Sequence, residues 1–192
     1  MAQPFPPYNP FALGHIVATV QTVTAASNAS PIVVSVANHG YPAGATVRIQ
    51  GVTGNTAANN APGNDRWVIA VIDANTFSLV GSTGNSAYVS GGTVYATPIP
   101  ITFNHPEYQG QGYQVNSITF NAFATNTGNV YIGAKTVQRT TPFIDCVYQM
   151  SPKTTQNMPF FSPGNSNIIP VDIWFVDFDN AADGVLVSIF VK

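Results

Sequence analysis

Trp67-Val68-Ile69-Ala70-Val71-Ile72-Asp73-Ala74-Asn75-Thr76-Phe77-Ser78-Leu79-Val80 decides the fold class. An apolar run rich in β-branched side chains meets Asp-Ala-Asn, and a second such run follows at once. β-Branched and aromatic residues suit a pleated strand, and Asp and Asn turn the chain by bonding to nearby backbone. The reading is strand, turn, strand. Trp67 to Ile72 is apolar at every position, which predicts a strand buried on both faces.

The same rhythm extends in both directions. Upstream lie Ile16 to Val23, Pro31 to Val36, and Ala45 to Gln50, the last with Val47 and Ile49 on one face. Downstream, Tyr88-Val89 and Thr93-Val94-Tyr95 flank Gly91-Gly92, which signals a hairpin. Residues 16–96 therefore read as a small β-barrel or sandwich domain. Thr97-Pro98-Ile99-Pro100 reads as a linker, because two prolines so close cannot both sit in a central strand. Residues 101–192 read as a C-terminal β-sandwich. Val115 to Ala124 places Ile118, Phe120 and Ala122 on one face, and Asn129 to Ala134 does the same with Val130, Ile132 and Ala134. Ile169 to Val176 and Val185 to Val191 follow as long strands. The last is apolar on both faces, so it is expected in the centre of a sheet or at an interface. Helical periodicity is nearly absent, and Glu107 is the sole glutamate. The expected class is all-β.

Residues 1–15 alternate Pro4, Pro6, Pro7 and Pro10 with Phe5, Tyr8 and Phe11. Proline fixes φ and removes a donor, so the segment reads as extended. Aromatic side chains are costly to leave in water. The expectation is an arm laid on a neighbouring subunit or on another protein, anchored by Phe5, Tyr8 and Phe11.

Composition narrows the function classes. Charged residues are 7 % of the 192-residue chain, and six Lys and Arg against eight Asp and Glu leave a net charge of −2. Ordinary soluble domains carry about 25 % charged residues. Nucleic-acid binding needs clustered Lys and Arg, so nucleic acid is not an expected partner. Few charges give little protection against association, which favours a subunit covered by neighbours. No apolar run approaches the ~20 residues of a membrane-spanning helix, and the N-terminal residues lack a signal pattern. No membrane association and a cytoplasmic site of synthesis are expected. The lone Cys146 excludes an internal disulfide framework.

Residues 24–95 resemble a small β-domain of tailed-phage and prophage virion proteins, one related to a β-domain of ubiquitin-activating enzymes. The resemblance is carried by Ala29-Ser30-Pro31-Ile32-Val33-Val34, His39-Gly40, Gly44, Ile49 to Asn59 and Trp67. It continues through Ile72 to Leu79, Gly81 to Tyr88 and Ser90 to Thr93. Asn60 to Arg66 is an insertion relative to that pattern. More loosely, Gly128 to Gly133, Phe161 to Ser166, Val171 to Trp174 and Asp183 to Val187 are similar to small phage β-sandwich domains. The resemblance implies a structural virion protein with no enzymatic activity and no cofactor. A capsid decoration or cement protein bound to the major capsid protein is the first expectation, with a trimer as the expected state. A tail, neck or fibre component and a carbohydrate-binding module for host attachment remain alternatives. The implied location is the virion, assembled in the host cytoplasm.

Three residue groups bear on chemistry. Asp177, Asp179 and Asp183, with Asp172 nearby, alternate as the start of a calcium loop does. Ala181 stands where a further ligand belongs and no glutamate follows, so a polar loop with an Asp183-Gly184 turn is the competing reading. Tyr108 and Tyr113 lie among Gln and Gly and suit an interface, ordinary packing or sugar stacking. His15, His39 and His105 are too scattered for a sequence-local metal site, and His39 before Gly40 reads as packing. Cys146 reads as an inert thiol in or near a strand.

Overall fold

The computed structural model describes residues 10–60, 66–101, 115–137, 145–159 and 174–191. The chain forms two compact units: among the described residues, Ala18–Ile99 makes up one, and those before and after it make up the other. Every regular element except one short 3-10 turn, Thr56–Ala58, is a strand among the described residues.

The Ala18–Ile99 unit holds β2 (Gln21–Thr22), β3 (Ala25–Ala26), β4 (Val33–Ser35), β5 (Thr46–Gln50), β6 (Trp67–Asp73), β7 (Thr76–Leu79) and β8 (Thr93–Ala96). They form one sheet in the order β2-β8-β5-β6-β7-β4-β3. The two ends of that order are successive pieces of one extended segment. Gln21 and Thr22 pair with Val94 and Thr93, while Ala25 and Ala26 pair with Ser35 and Val34. Between them, Val23 N donates to Gly92 O at 3.0 Å and Thr24 N to Ser35 O at 2.9 Å. The sheet therefore curls until a single segment joins its ends, and its edge groups find partners. Val23, Ile32, Val34, Val47, Ile49, Trp67, Ile69, Phe77, Leu79 and Val94 fill the interior.

The central hairpin is β6 and β7, with Ile69 facing Leu79 and Val71 facing Phe77. Asn75 N donates to Asp73 Oδ1 at 2.7 Å and closes the expected turn. The strand is not buried on both faces. Trp67 and Ile69 point inward, whereas Val68 and Ile72 are 47 % and 57 % exposed. Alternation wins because this curled sheet has its hydrophobic interior on one side. Around Gly91-Gly92 the expected hairpin does not form. Val89 N donates to Thr53 O at 3.0 Å and Thr53 N to Ser90 O at 2.9 Å, so the segment before the glycines pairs with residue 53. Only the segment after them becomes β8.

The second unit contains two four-stranded sheets. One has the order β1 (Pro10–Val17), β15 (Gly184–Val191), β10 (Val115–Ala122), β13 (Thr155–Pro159). The other has the order β12 (Cys146–Met150), β11 (Val130–Gly133), β14 (Phe175–Phe178), β9 (Ile99–Pro100). Ile118, Phe120 and Ala122 are buried from β10, Val130 and Ile132 from β11, and Val185 and Val187 from β15. β15 sits between two partners, as its two apolar faces predict.

Three boundaries differ from the sequence reading. Residues 10–15, expected in the arm, are strand, because β1 pairs antiparallel with β15 of the same chain. Pro10 opens that strand at the edge of its sheet, where a missing N–H is tolerated. Ile16 to Val23 is not one strand: β1 ends at Val17 and β2 begins at Gln21, each belonging to a different unit. The expected linker carries β9, again an edge strand, in which Pro100 breaks no central ladder.

Candidate functional site

The acidic group lies where the loop before β11 meets the loop before β15. Asp183 is 1 % exposed, and its two oxygens are surrounded by donors. Oδ1 accepts from Thr127 N at 2.8 Å and Thr127 Oγ1 at 3.4 Å. Oδ2 accepts from Gly128 N at 3.1 Å, Asn180 N at 3.2 Å and Asn180 Nδ2 at 3.3 Å. Asp179 Oδ2 accepts from Asn129 N at 2.8 Å, and its Oδ1 from the Tyr131 hydroxyl at 3.1 Å. Asn126 and Gly184 exchange two further bonds, at 2.9 and 2.8 Å.

Each carboxylate oxygen has about two lone pairs, and those of Asp183 already face backbone and amide N–H groups. The arrangement fastens one loop to the other. A Ca²⁺ ion needs six to eight oxygens free to turn toward it, and Asp183 here turns both of its oxygens to N–H and O–H donors. Asp177 points elsewhere: fully buried, it accepts from the N–H of Phe178 at 2.8 Å. Among the described residues no group of three or more His, Cys, Asp or Glu side chains gathers as a metal site. The sequence shows the acids but not the loop, more than fifty residues upstream, that consumes them.

Gly128 is where this latch constrains the backbone. A Cβ there would run into Asp179 Cβ and lie 2.8 Å from Asn180 Nδ2 and 3.0 Å from Asp183 Oδ2. Close approach of the two loops therefore requires glycine.

Cys146 lies in β12, and its thiol donates to Tyr148 O at 3.2 Å. Burial pushes the thiol pKa up, and Asp177 adds to the rise. A nucleophilic cysteine needs the opposite shift. Beside it an open pocket of about 270 Å³ is lined by Ala134, Asp145, Cys146, Val147 and Trp174. Asp145 there is held by the Thr136 hydroxyl, and Trp174 Nε1 is buried without an acceptor. Sequence reasoning had no signal for this pocket, because its lining comes from three separated segments.

His39 packs, as its place before Gly40 suggests. Its ring stacks on Tyr41 at 5.5 Å and meets the edge of Phe77 at 5.2 Å. Nδ1 accepts from Tyr41 N at 3.0 Å, so Nε2 carries the proton donated to Asp73 O at 2.9 Å. Both nitrogens are thereby engaged, and the side chain holds the β6–β7 turn against the segment after β4.

Arg48 was not singled out by sequence. It is fully buried beside Tyr95, on the face of β5 opposite Val47 and Ile49. Its Nη1 donates to the Tyr95 hydroxyl at 3.2 Å, with the guanidinium 5.7 Å from the ring centre.

Phe11 lies in β1 opposite Ile189. Phe5, Tyr8, Tyr108, Tyr113 and Asp172 lie outside the described residues, as do His105 and the start of the expected strand at 169–173. The polar clusters that are described hold loops and turns together. Comparison with protein-family models finds no match, and comparison with curated proteins finds none either.

Proposed function

We propose that this chain is a structural virion protein of a tailed phage, a decoration or cement subunit bound to the major capsid protein as a homo-oligomer, with three copies as the expected state. The virion assignment rests on the resemblance over residues 24–95. The observation that supports a docking subunit is the outer face of β6 and β7. Val68, Ile72 and Val80 stand 47 %, 57 % and 52 % exposed there, on a chain with 7 % charged residues. Such a face gains free energy when a neighbour covers it, and few charges oppose the contact. Phe5 and Tyr8 remain the proposed anchors of the N-terminal segment, whereas Phe11, expected as a third, lies in β1 paired with β15.

Binding to an intact shell but not to its disrupted form would favour the intact shell by RT ln(1 + [L]/Kd) per site. Linked copies would raise avidity further. The test is the ratio of this chain to the major capsid protein in gradient-purified particles. A ratio near one, or a simple fraction of it, is expected. A ratio of a few per cent moves the protein to tail, neck or fibre and overturns the decoration reading. Absence from particles overturns the virion reading and turns attention to glycan binding.

A further inference from the structure

We propose that β1 is exchanged between copies of this chain, the β1 of one copy pairing with the β15 of a second copy. The inference stands on topology and does not depend on the virion reading. β1 is the first strand described, lies at the edge of its sheet, and has one partner strand, β15. The entire Ala18–Ile99 unit intervenes before the next strand of that sheet, β10. No short connection ties β1 to its own sheet. Its pairing with β15 is antiparallel from Pro10↔Phe190 to Val17↔Gly184, and an identical β15 on a second copy offers the same register. Exchange of an identical element is a low-cost route to an oligomer.

The connection between β1 and β2 is the hinge of this exchange. Ala18–Val20 is only three residues long, and short hinge loops favour exchange. Val17 just before it and Val20, its last residue, are 48 % and 42 % exposed in the closed chain. The strand that β1 would pair with in the exchanged form is thus the β15 of a second copy of this chain.

The test uses the full chain in a Cys146→Ser background. Ala12→Cys and Ser188→Cys sit at partnered positions across β1 and β15. The two single variants, one carrying a mass tag, are refolded together and oxidised. A covalent heterodimer between the Ala12→Cys and Ser188→Cys chains is the expected product on a non-reducing gel. Lengthening Ala18–Val20 with a flexible insert should then reduce it severalfold. The double variant in one chain is the control for register. Cross-linking within single chains only, with no heterodimer from the mixture, overturns the proposal. Failure of the double variant to cross-link in any form overturns the β1–β15 pairing and the proposal with it. Particle copy number is unaffected by any of these outcomes, so the two readings fail separately.

Discussion

At the scale of the residue, Gly54 and Tyr41 make contrasting predictions. Gly54 has φ of +79°, and a Cβ would strike Ala87 O and lie 2.8 Å from Val89 N. Left-handed backbone and a backbone collision act together, so Gly54→Ala should destabilise by about 2 kcal/mol or more. Urea denaturation checks this, and a midpoint equal to that of the parent would contradict the geometry. Tyr41 is partly buried, with its hydroxyl 3.5 Å from Val94 O. Burial raises its pKa to about 12. An unfolded tyrosine ionises near 10, so Tyr41 favours the folded state fully below pH 10. That contribution falls as pH rises between 10 and 12, because only the unfolded chain releases the proton. Absorbance titration should show a tyrosine that ionises near 12, and Tyr41→Phe should remove that component and reduce the alkaline loss of stability.

Elements are held together largely by uncharged polar side chains reaching between loops. Asn55 is fully buried; its Nδ2 donates to Ser27 O at 2.8 Å and its Oδ1 accepts from Asn85 N at 3.2 Å. Asn85 in turn accepts from Ala57 N at 3.2 Å. The Gly-Asn pairs look in sequence like isolated turns, yet they lace separate loops to one another. Asp183 does the same with a charge. In Asp183→Asn, one oxygen becomes an NH₂ group facing N–H donors. Leaving such donors unsatisfied costs about 1–3 kcal/mol, and a thermal melt should show a loss in that range. Calcium or a chelator should leave the parent melting temperature unchanged; a rise with calcium would reverse our reading of the acidic loop.

Strand content was legible at this scale because β-branched runs and turn residues repeat along the chain. Val47 and Ile49, and Ile118, Phe120 and Ala122, occupy the faces that alternation predicts. Burial of Arg48 was not legible, since a lone Arg between apolar residues reads as the solvent side of a strand. Nor was the partner of Ser90, because Gly91-Gly92 favours a local hairpin and the competing Thr53 is distant in sequence. The prolines through Pro10 misplaced the start of β1, because only the edge position of the strand makes Pro10 acceptable. The acids of the candidate site were visible, whereas their donors lie on a loop that only the fold brings near.

For the whole molecule, the edges matter more than the interiors. The Ala18–Ile99 sheet has its ends joined, whereas among the described residues the two sheets of the other unit end at β1 and β13 and at β12 and β9. β1 shields one side of β15, an eight-residue strand with apolar residues on both faces. Removing residues 1–17 should leave that side open and convert soluble protein to aggregates, as unprotected hydrophobic edges do. Light scattering during refolding measures this. A truncated chain that stays soluble and folded would show that β15 tolerates exposure.

The joined ends also set an order of events. Gln21 meets Val94 and Thr22 meets Thr93, contacts separated by about seventy residues of chain. Closure of that ring is therefore a late step, with loop entropy against it until most of the intervening strands are in place. A nascent chain whose synthesis had not yet reached Thr93 would carry β5 without its β8 partner and the 21–26 segment with only one end fastened. Protection from mispairing, permanent in the finished unit, is missing throughout its synthesis and arrives with its last strand.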